Sequence, residues 1–133
     1  MNHRHRFNWK NYILFSEYLH QNNTFEEEQT INRVISSRCY YGVFKPFEDY
    51  LKDKKIHPPM KDGYGNDLGS HDRVIYYVEK NLNRKIGRKL KRLKIYRVIA
   101  DYKANEHISK RDRENIIMLS KQVFNYIEEK LKR

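Results

Sequence analysis

The chain has 133 residues, which suits one domain over 1–133, and 14% aromatic residues with 38% hydrophobic residues exclude a disordered chain. Its formal charge of +11 favours polyanions as partners, and no apolar run approaches the roughly 20 residues of a membrane span. Because Cys39 is the only cysteine and the basic start Met1–Arg6 lacks the apolar core of a signal peptide, we expect a cytoplasmic protein without membrane association or disulfides.

Apolar residues at three- and four-residue spacing predict two helices in the first third of the chain. Helix one is expected from about Asn8 to Gln21, and helix two from about Phe25 to Leu51. Thr24 is the expected cap of helix two, with Glu27 completing a capping box. Pro46 lies inside this helix and cannot donate a backbone hydrogen bond, so we expect a kink there.

The remainder of the chain reads as one loop followed by three helices. Pro and Gly residues predict a loop over about Lys52 to Gly69. A short helix from Ser70, its expected cap, to about Asn81 comes next, and a fourth helix spans about Arg84 to Lys103. Ser109 and Asp112 form a capping box that opens helix five. The sequence therefore predicts an all-α, antiparallel bundle of four to five helices.

Arg97 stands at an unusual position on the fourth predicted helix. At about 100° per residue, it falls near the centre of the apolar stripe, and Asp101 lies one turn further on. A guanidinium on such a stripe must be paired or must face a cleft or an interface. Two interpretations remain open, namely a structural ion pair with Asp101 and an anion-binding or catalytic arginine.

Other basic residues are candidates for binding a polyanion. Arg38 lies on the inner face of helix two, where it either joins an anion site or holds Asp101 in place. The segment Arg84–Arg97 contains eight basic residues and no acidic one. Such a surface attracts phosphates, although a charge run is also the usual appearance of a solvated helix face. The residues that we expect to bind RNA or a nucleotide are Arg38, Arg84, Arg88, Lys91 and Arg92.

His71 opens the third predicted helix, where backbone N–H groups favour anions. It is a candidate general acid or base if the fold brings it close to Arg97, and otherwise it is an exposed histidine in a capping turn. The sequence shows no catalytic triad and no metal-ligand spacing, and His3 and His5 are not expected to bind a metal. We therefore expect no cofactor and no metal.

Several segments together resemble one protein family. The stretch Ser36–Phe44, SSRCYYGVF, is similar to the S-R-A-Y-Y-A-x-F segment of the HEPN domain in its small stand-alone prokaryotic branch. Ser70–Val74 is similar to the H-S-x-V element that follows the loop in that branch, and Arg97–Tyr102 resembles its R-x-x-A-D-Y. The start of the last helix at Ile108–Ser109 matches as well, so the resemblance covers about residues 30–131.

The resemblance implies a dimeric bundle that binds RNA or nucleotides, cleaves RNA in many members, and often pairs with a nucleotidyltransferase-like antitoxin. Nuclease members carry Arg, a gap of four to six residues, and then His. Here nine residues separate Arg97 from the next histidine, His107, and Asp101 stands in the expected region. In related toxins the partner enzyme modifies a tyrosine at the place of Tyr102, which otherwise reads as an aromatic core residue.

These observations give a ranked set of functional expectations. The first is an RNA-binding HEPN protein that acts at a groove between two subunits, and it is a candidate ribonuclease toxin of a toxin–antitoxin or defence system. In that dimer we expect helix four to lie near the two-fold axis. Its candidate catalytic residues are Arg97, Asp101 and His71. The alternative is a non-catalytic accessory subunit that binds a nucleotide or RNA, and the departure from the Arg…His pattern favours it. A purely structural bundle is the third reading.

Overall fold

The computed structural model describes residues 6–131, so the start of the chain with His3 and His5 lies outside it. Two π turns, Val78–Leu82 and Ile127–Leu131, extend the third and fifth helices. Within the described residues there is no strand beyond an isolated bridge between Lys61 and Asp67. The predicted all-α bundle is confirmed, with five helices packed together: α1 Lys10–Gln21, α2 Glu28–Asp53, α3 Ser70–Tyr77, α4 Arg84–Tyr102 and α5 Lys110–Tyr126.

Helix α2 is the centre of the bundle because it is apolar on more than one side. It packs against α1, α4 and α5, and its aromatic residues Tyr40, Phe44 and Phe47 are fully buried. Burying a large apolar side chain contributes about 1.5–3 kcal/mol, so these three rings are a main source of stability. The helix continues through Pro46, and the kink expected there stays a prediction.

The start of α2 differs from the sequence-based prediction. The helix begins at Glu28, not near Phe25, and the capping box of Thr24 with Glu27 is wrong. Glu27 is itself the N-cap, because its carboxylate accepts hydrogen bonds from the Thr30 backbone N–H and hydroxyl, each at 2.8 Å. Because the Glu27 side chain bonds a backbone N–H of the first helical turn, the helix begins at Glu28, and the residues before Glu27 lie outside it.

The loop between α2 and α3 contains a small hairpin over residues 60–68. Leu68 N–H donates to the Met60 carbonyl and Asp62 N–H to the Asn66 carbonyl, both at 2.9 Å. The turn passes through Gly65, whose φ of +83° lies in the left-handed region that favours glycine. The loop is therefore ordered by its own backbone hydrogen bonds.

Helix α3 begins at Ser70, but its N-cap is Gly69, so the prediction of Ser70 as the cap is wrong. The α-helix ends at Tyr77, earlier than the predicted Asn81, because the chain widens into the π turn Val78–Leu82. This turn brings Glu79 so close to α4 that a Cβ built on Gly87 would lie 2.5 Å from the Glu79 Cα.

The last two helices begin as the sequence predicts. Asn83 caps α4 through the Ile86 N–H, and the Ser109–Asp112 capping box of α5 is confirmed. The carbonyl end of α4 is held from α2, because the Arg33 guanidinium donates to the Ile99 carbonyl at 2.9 Å and to others near it. None of the helices in residues 6–131 is long and apolar enough to span a membrane.

Candidate functional site

Arg97 is buried on the apolar stripe of α4, as its helical position predicts, and it is only 7% exposed. Its guanidinium carbon lies 5.4, 5.5 and 5.6 Å from the ring centres of Tyr40, Tyr41 and Tyr102. Its Nε has no hydrogen-bond partner among residues 6–131. Ring faces carry negative potential, so this cage of three tyrosines stabilises the positive charge in place of a short ion pair.

Asp101 does not form a buried pair with Arg97. The Asp101 Oδ2 lies 3.6 Å from the Arg97 Nη1, beyond a hydrogen bond, and the carboxylate sits on the exposed side of α4. Its charge is therefore solvated, and the loss of Arg97 would not strand it inside the protein. The ion pair that the sequence predicted is therefore present but long and half-exposed, and the Arg97 Nε retains unused hydrogen-bonding capacity.

His71, at the start of α3, completes what we call the Arg97 cluster, which is Arg97 with its three tyrosines and His71. Its Nδ1 lies 2.7 Å from the buried Tyr40 hydroxyl, and its ring stacks on Phe44 with centres 4.3 Å apart and planes within 5°. Burial, followed by the nearby positive charges of Arg97 and Lys94, lowers the pKa of His71 below its ordinary value. The imidazole is therefore neutral at pH 7, which is the form that a general base requires.

Tyr40 connects the arginine with the histidine. Burial raises the pKa of Tyr40, so the hydroxyl stays protonated. One hydrogen bond joins this hydroxyl to the neutral imidazole of His71. Arg97 lies against the same ring. The structure therefore brings together an arginine and a histidine from α4 and α3, whereas His107, the next histidine along the chain, contacts Gln29 instead.

Arg38 lies beside this cluster but does not hold Asp101, and that interpretation is wrong. Its Nη2 donates to the Ser37 hydroxyl at 3.0 Å, and its guanidinium carbon lies 4.8 Å from the Tyr12 ring centre and 5.4 Å from that of Tyr41. No ion pair joins Arg38 to Asp101 within the part of the chain that the structure describes. Since Tyr41 contacts both arginines, it links Arg38 to the cluster.

The outer face of α4 changes character along its length. The four basic residues predicted to bind RNA are all exposed: Arg84, Arg88, Lys91 and Arg92. Arg88 and Lys91 both pair with Glu79, at 3.8 and 3.5 Å. Towards the end of the helix the exposed residues become apolar, with Ile95 at 55% and Tyr102 at 74% exposure. The reading of Tyr102 as a core residue is therefore wrong.

Sequence reasoning missed three contributors to the cluster, namely Tyr40, Tyr41 and Lys94. The paired tyrosines four and three residues before Phe44 were visible, but nothing local indicates that one of them bonds to a histidine 31 residues away. Lys94 pairs with Asp72 at 2.6 Å, next to His71. Two basic residues three apart on α4, Lys94 and Arg97, were the available signal.

Several other chemistries find little support in the described residues. Over 6–131, no group of three or more His, Cys, Asp and Glu side chains is arranged to hold a metal ion. Cys39 is fully buried, and burial raises its pKa to about 11, so it is a protonated thiol and a poor nucleophile. Comparisons with protein-family models, with curated proteins and with solved structures find no match to the chain.

The lowered pKa of His71 predicts a specific dependence of stability on pH. The unfolded chain, with a His pKa near 6.5, binds a proton more readily than the folded protein, so stability is complete above about pH 6.5 and falls below it. Urea unfolding should show that the wild type loses more stability than His71→Gln between about pH 7.5 and pH 5. The variant His57→Gln, which changes an exposed histidine, should lose as much stability as the wild type between these pH values. Equal losses for all three proteins would contradict a lowered pKa of His71 in the folded protein.

Proposed function

We propose that this chain is a HEPN-like protein that binds RNA and cleaves it without a metal, as a cytoplasmic component of a toxin–antitoxin or defence system. The observation that carries the proposal is the contact of His71 and Arg97 with one buried residue, Tyr40. A base and a cation close together are what phosphodiester cleavage by an internal nucleophile requires.

The chemistry assigns a role to each group. Neutral His71, in the tautomer whose Nδ1–H donates to the Tyr40 hydroxyl oxygen, takes the proton from a ribose 2′-hydroxyl on its Nε2, and the 2′-oxygen attacks the neighbouring phosphorus. The bond to the 5′-oxygen breaks, and that oxygen takes a proton from solvent, which leaves a cyclic phosphate and a 5′-hydroxyl. Arg97 stabilises the charge that develops on the phosphoryl oxygens, and Tyr40 holds His71 in orientation. Asp101 carries a negative charge and is partly exposed, so it offsets the charge of Arg97 and takes no part in stabilising the phosphoryl oxygens.

RNA binding is supported by the outer face of α4 and by the exposed ring of Tyr102. Arg84, Arg88, Lys91 and Arg92 offer contacts to phosphates, and the half-buried Arg38 adds a positive charge beside Tyr12 and Tyr41. A tyrosine that is 74% exposed beside a guanidinium also provides a surface on which an unpaired base stacks. The predicted ligand is therefore single-stranded RNA.

A non-catalytic accessory subunit is the second candidate, and one observation favours it. The Arg97 side chain is only 8% exposed, so a phosphate reaches little of its guanidinium unless Tyr102 moves. In this alternative the cluster binds RNA or a nucleotide and performs no chemistry. Binding and cleavage must therefore be measured separately.

Reversing charge on α4 should weaken RNA binding. Arg84→Glu with Arg92→Glu is the suitable pair, because Arg88 and Lys91 also hold Glu79. Fluorescence anisotropy with a single-stranded RNA should show weaker binding and a salt slope reduced by about 1.4, since each phosphate contact contributes about 0.7. The charge-matched control, Lys110→Glu with Arg111→Glu at the start of α5, should bind as the wild type does. Equal affinity for all three proteins would refute an RNA-binding role for this face.

Substitution of His71 should separate cleavage from binding. His71→Ala removes the general base while the basic face of α4 stays intact, so we expect unchanged affinity and a loss of cleavage of about 100-fold or more. Gel analysis of a labelled RNA in the presence of a chelator measures the cleavage rate, with His57→Ala as the control. A wild-type protein that binds RNA and never cuts it would instead establish the accessory-subunit function.

We also propose a homodimer, which is supported by the apolar end of the outer face of α4. Ile95 and Tyr102 are exposed there, and Val34 of α2 is 38% exposed. A second copy that covers Ile95 and Val34 would place two clusters beside one groove and leave accessible Tyr102, the proposed target of a nucleotidyltransferase-like antitoxin.

Light scattering tests the dimer directly. The wild type should have twice the mass of one chain at tens of micromolar, and Ile95→Lys should shift it to the monomer because it places a charge in the interface. Met118→Lys is a matched control on α5, with a wild-type residue of similar exposure, 49% against 55%. A monomeric wild-type protein, or equal effects of the two variants, would argue against this interface.

A further inference from the structure

A cleft of about 430 Å³ lies between the hairpin 60–68 and α3, outside the Arg97 cluster. We propose that this cleft binds one base of the RNA strand, next to the phosphate at which His71 and Arg97 act. The inference rests on the proposed function and adds a subsite to it. The volume falls within the range of small-molecule sites, about 300–1,000 Å³. The residues that carry the argument are Tyr64, Asp72, Tyr76, Glu79, Lys80 and Lys91.

Two tyrosines line the cleft, one of them on a turn whose backbone is held by hydrogen bonds. Tyr64 lines it at the hairpin tip and is 93% exposed, while Tyr76 lines it from α3. The tip is held because the Asp62 carboxylate accepts hydrogen bonds from the backbone N–H groups of Tyr64 and Asn66, at 2.8 and 2.9 Å. The exposed ring of Tyr64 on this ordered turn is suited to stacking on a nucleobase, since every base has a π face.

The charges suit a neutral base inside the cleft and phosphates at its edge. Asp72 is paired with Lys94 at 2.6 Å, and Glu79 faces Lys91 and Arg88 at 3.5 and 3.8 Å. The carboxylates therefore have their countercharges on α4, where a sugar–phosphate backbone would pass. Carboxylate oxygens accept hydrogen bonds, so they favour bases with an amino group over uracil.

The cleft and the Arg97 cluster involve neighbouring residues of α3 and α4. Asp72, which lines the cleft, follows His71 on the first turn of α3, and its partner Lys94 lies three residues before Arg97 on α4. The π turn Val78–Leu82 places Glu79 and Lys80 in the same cleft, and π turns occur frequently at functional sites. In the proposed complex, neighbouring nucleotides of one RNA strand occupy the cleft and the Arg97 cluster.

The test measures binding of Tyr64→Ala to single-stranded RNA oligonucleotides that carry one abasic position each. Loss of one stacked base should weaken binding of the intact RNA by at least about five-fold. Tyr64→Phe should bind as the wild type does, because it keeps the ring. With the abasic site at the position that enters the cleft, wild type and Tyr64→Ala should bind equally, as expected for two changes that remove one interaction.

The outcomes separate this inference from the proposed function. If Tyr64→Ala binds intact RNA as the wild type does while Arg84→Glu with Arg92→Glu binds it weakly, the subsite is overturned and the RNA-binding function stands. If the wild type binds no RNA at low salt, both are overturned. Binding of free AMP or CMP that is sensitive to Tyr64→Ala, without any RNA binding, would overturn the strand-bound base and identify a mononucleotide site. Equal losses at every abasic position would also overturn a discrete subsite.

Discussion

The burial of Tyr40 is the constraint on which the rest of the candidate site depends. Its ring is fully enclosed in the core of the bundle, yet its hydroxyl must keep a hydrogen-bond partner, because an unpaired buried polar group costs about 1–3 kcal/mol. His71 supplies that partner at 2.7 Å. This one bond fixes the start of α3 against α2 and sets the orientation of the imidazole beside Arg97.

The position of Arg97 follows from the same ring. A guanidinium placed on the apolar stripe of α4 is costly to desolvate, and the nearest carboxylate, Asp101, is too far away for a short bond. The faces of Tyr40, Tyr41 and Tyr102 offset part of that cost, at about 0.5–2 kcal/mol for each contact. Cation–π contacts therefore hold Arg97 in place, while its Nε donates no hydrogen bond within the described residues.

The basic surface and the cluster occupy opposite sides of one helix. The inner side of α4 carries Arg97 towards the tyrosines, and the outer side carries Arg84 and Arg92 towards solvent. Glu79, which the π turn after α3 brings against Gly87, pairs with Arg88 and Lys91 where the positive face borders the cleft near Tyr64.

The sequence by itself determined the five helices, the Ser109 capping box, the burial of Arg97 and the exposure of the basic face, because each follows from local periodicity or from neighbouring residues. Local rules gave the wrong cap for α2, since both Thr24 and Glu27 can cap a helix, and the carboxylate of Glu27 accepts the Thr30 N–H three residues further on. Only the tertiary structure decided that His71 meets Tyr40, that Arg38 lies on Tyr41 rather than near Asp101, and that Tyr102 is exposed. Those contacts join separate helices, and their packing angles are set by the whole core rather than by any single segment.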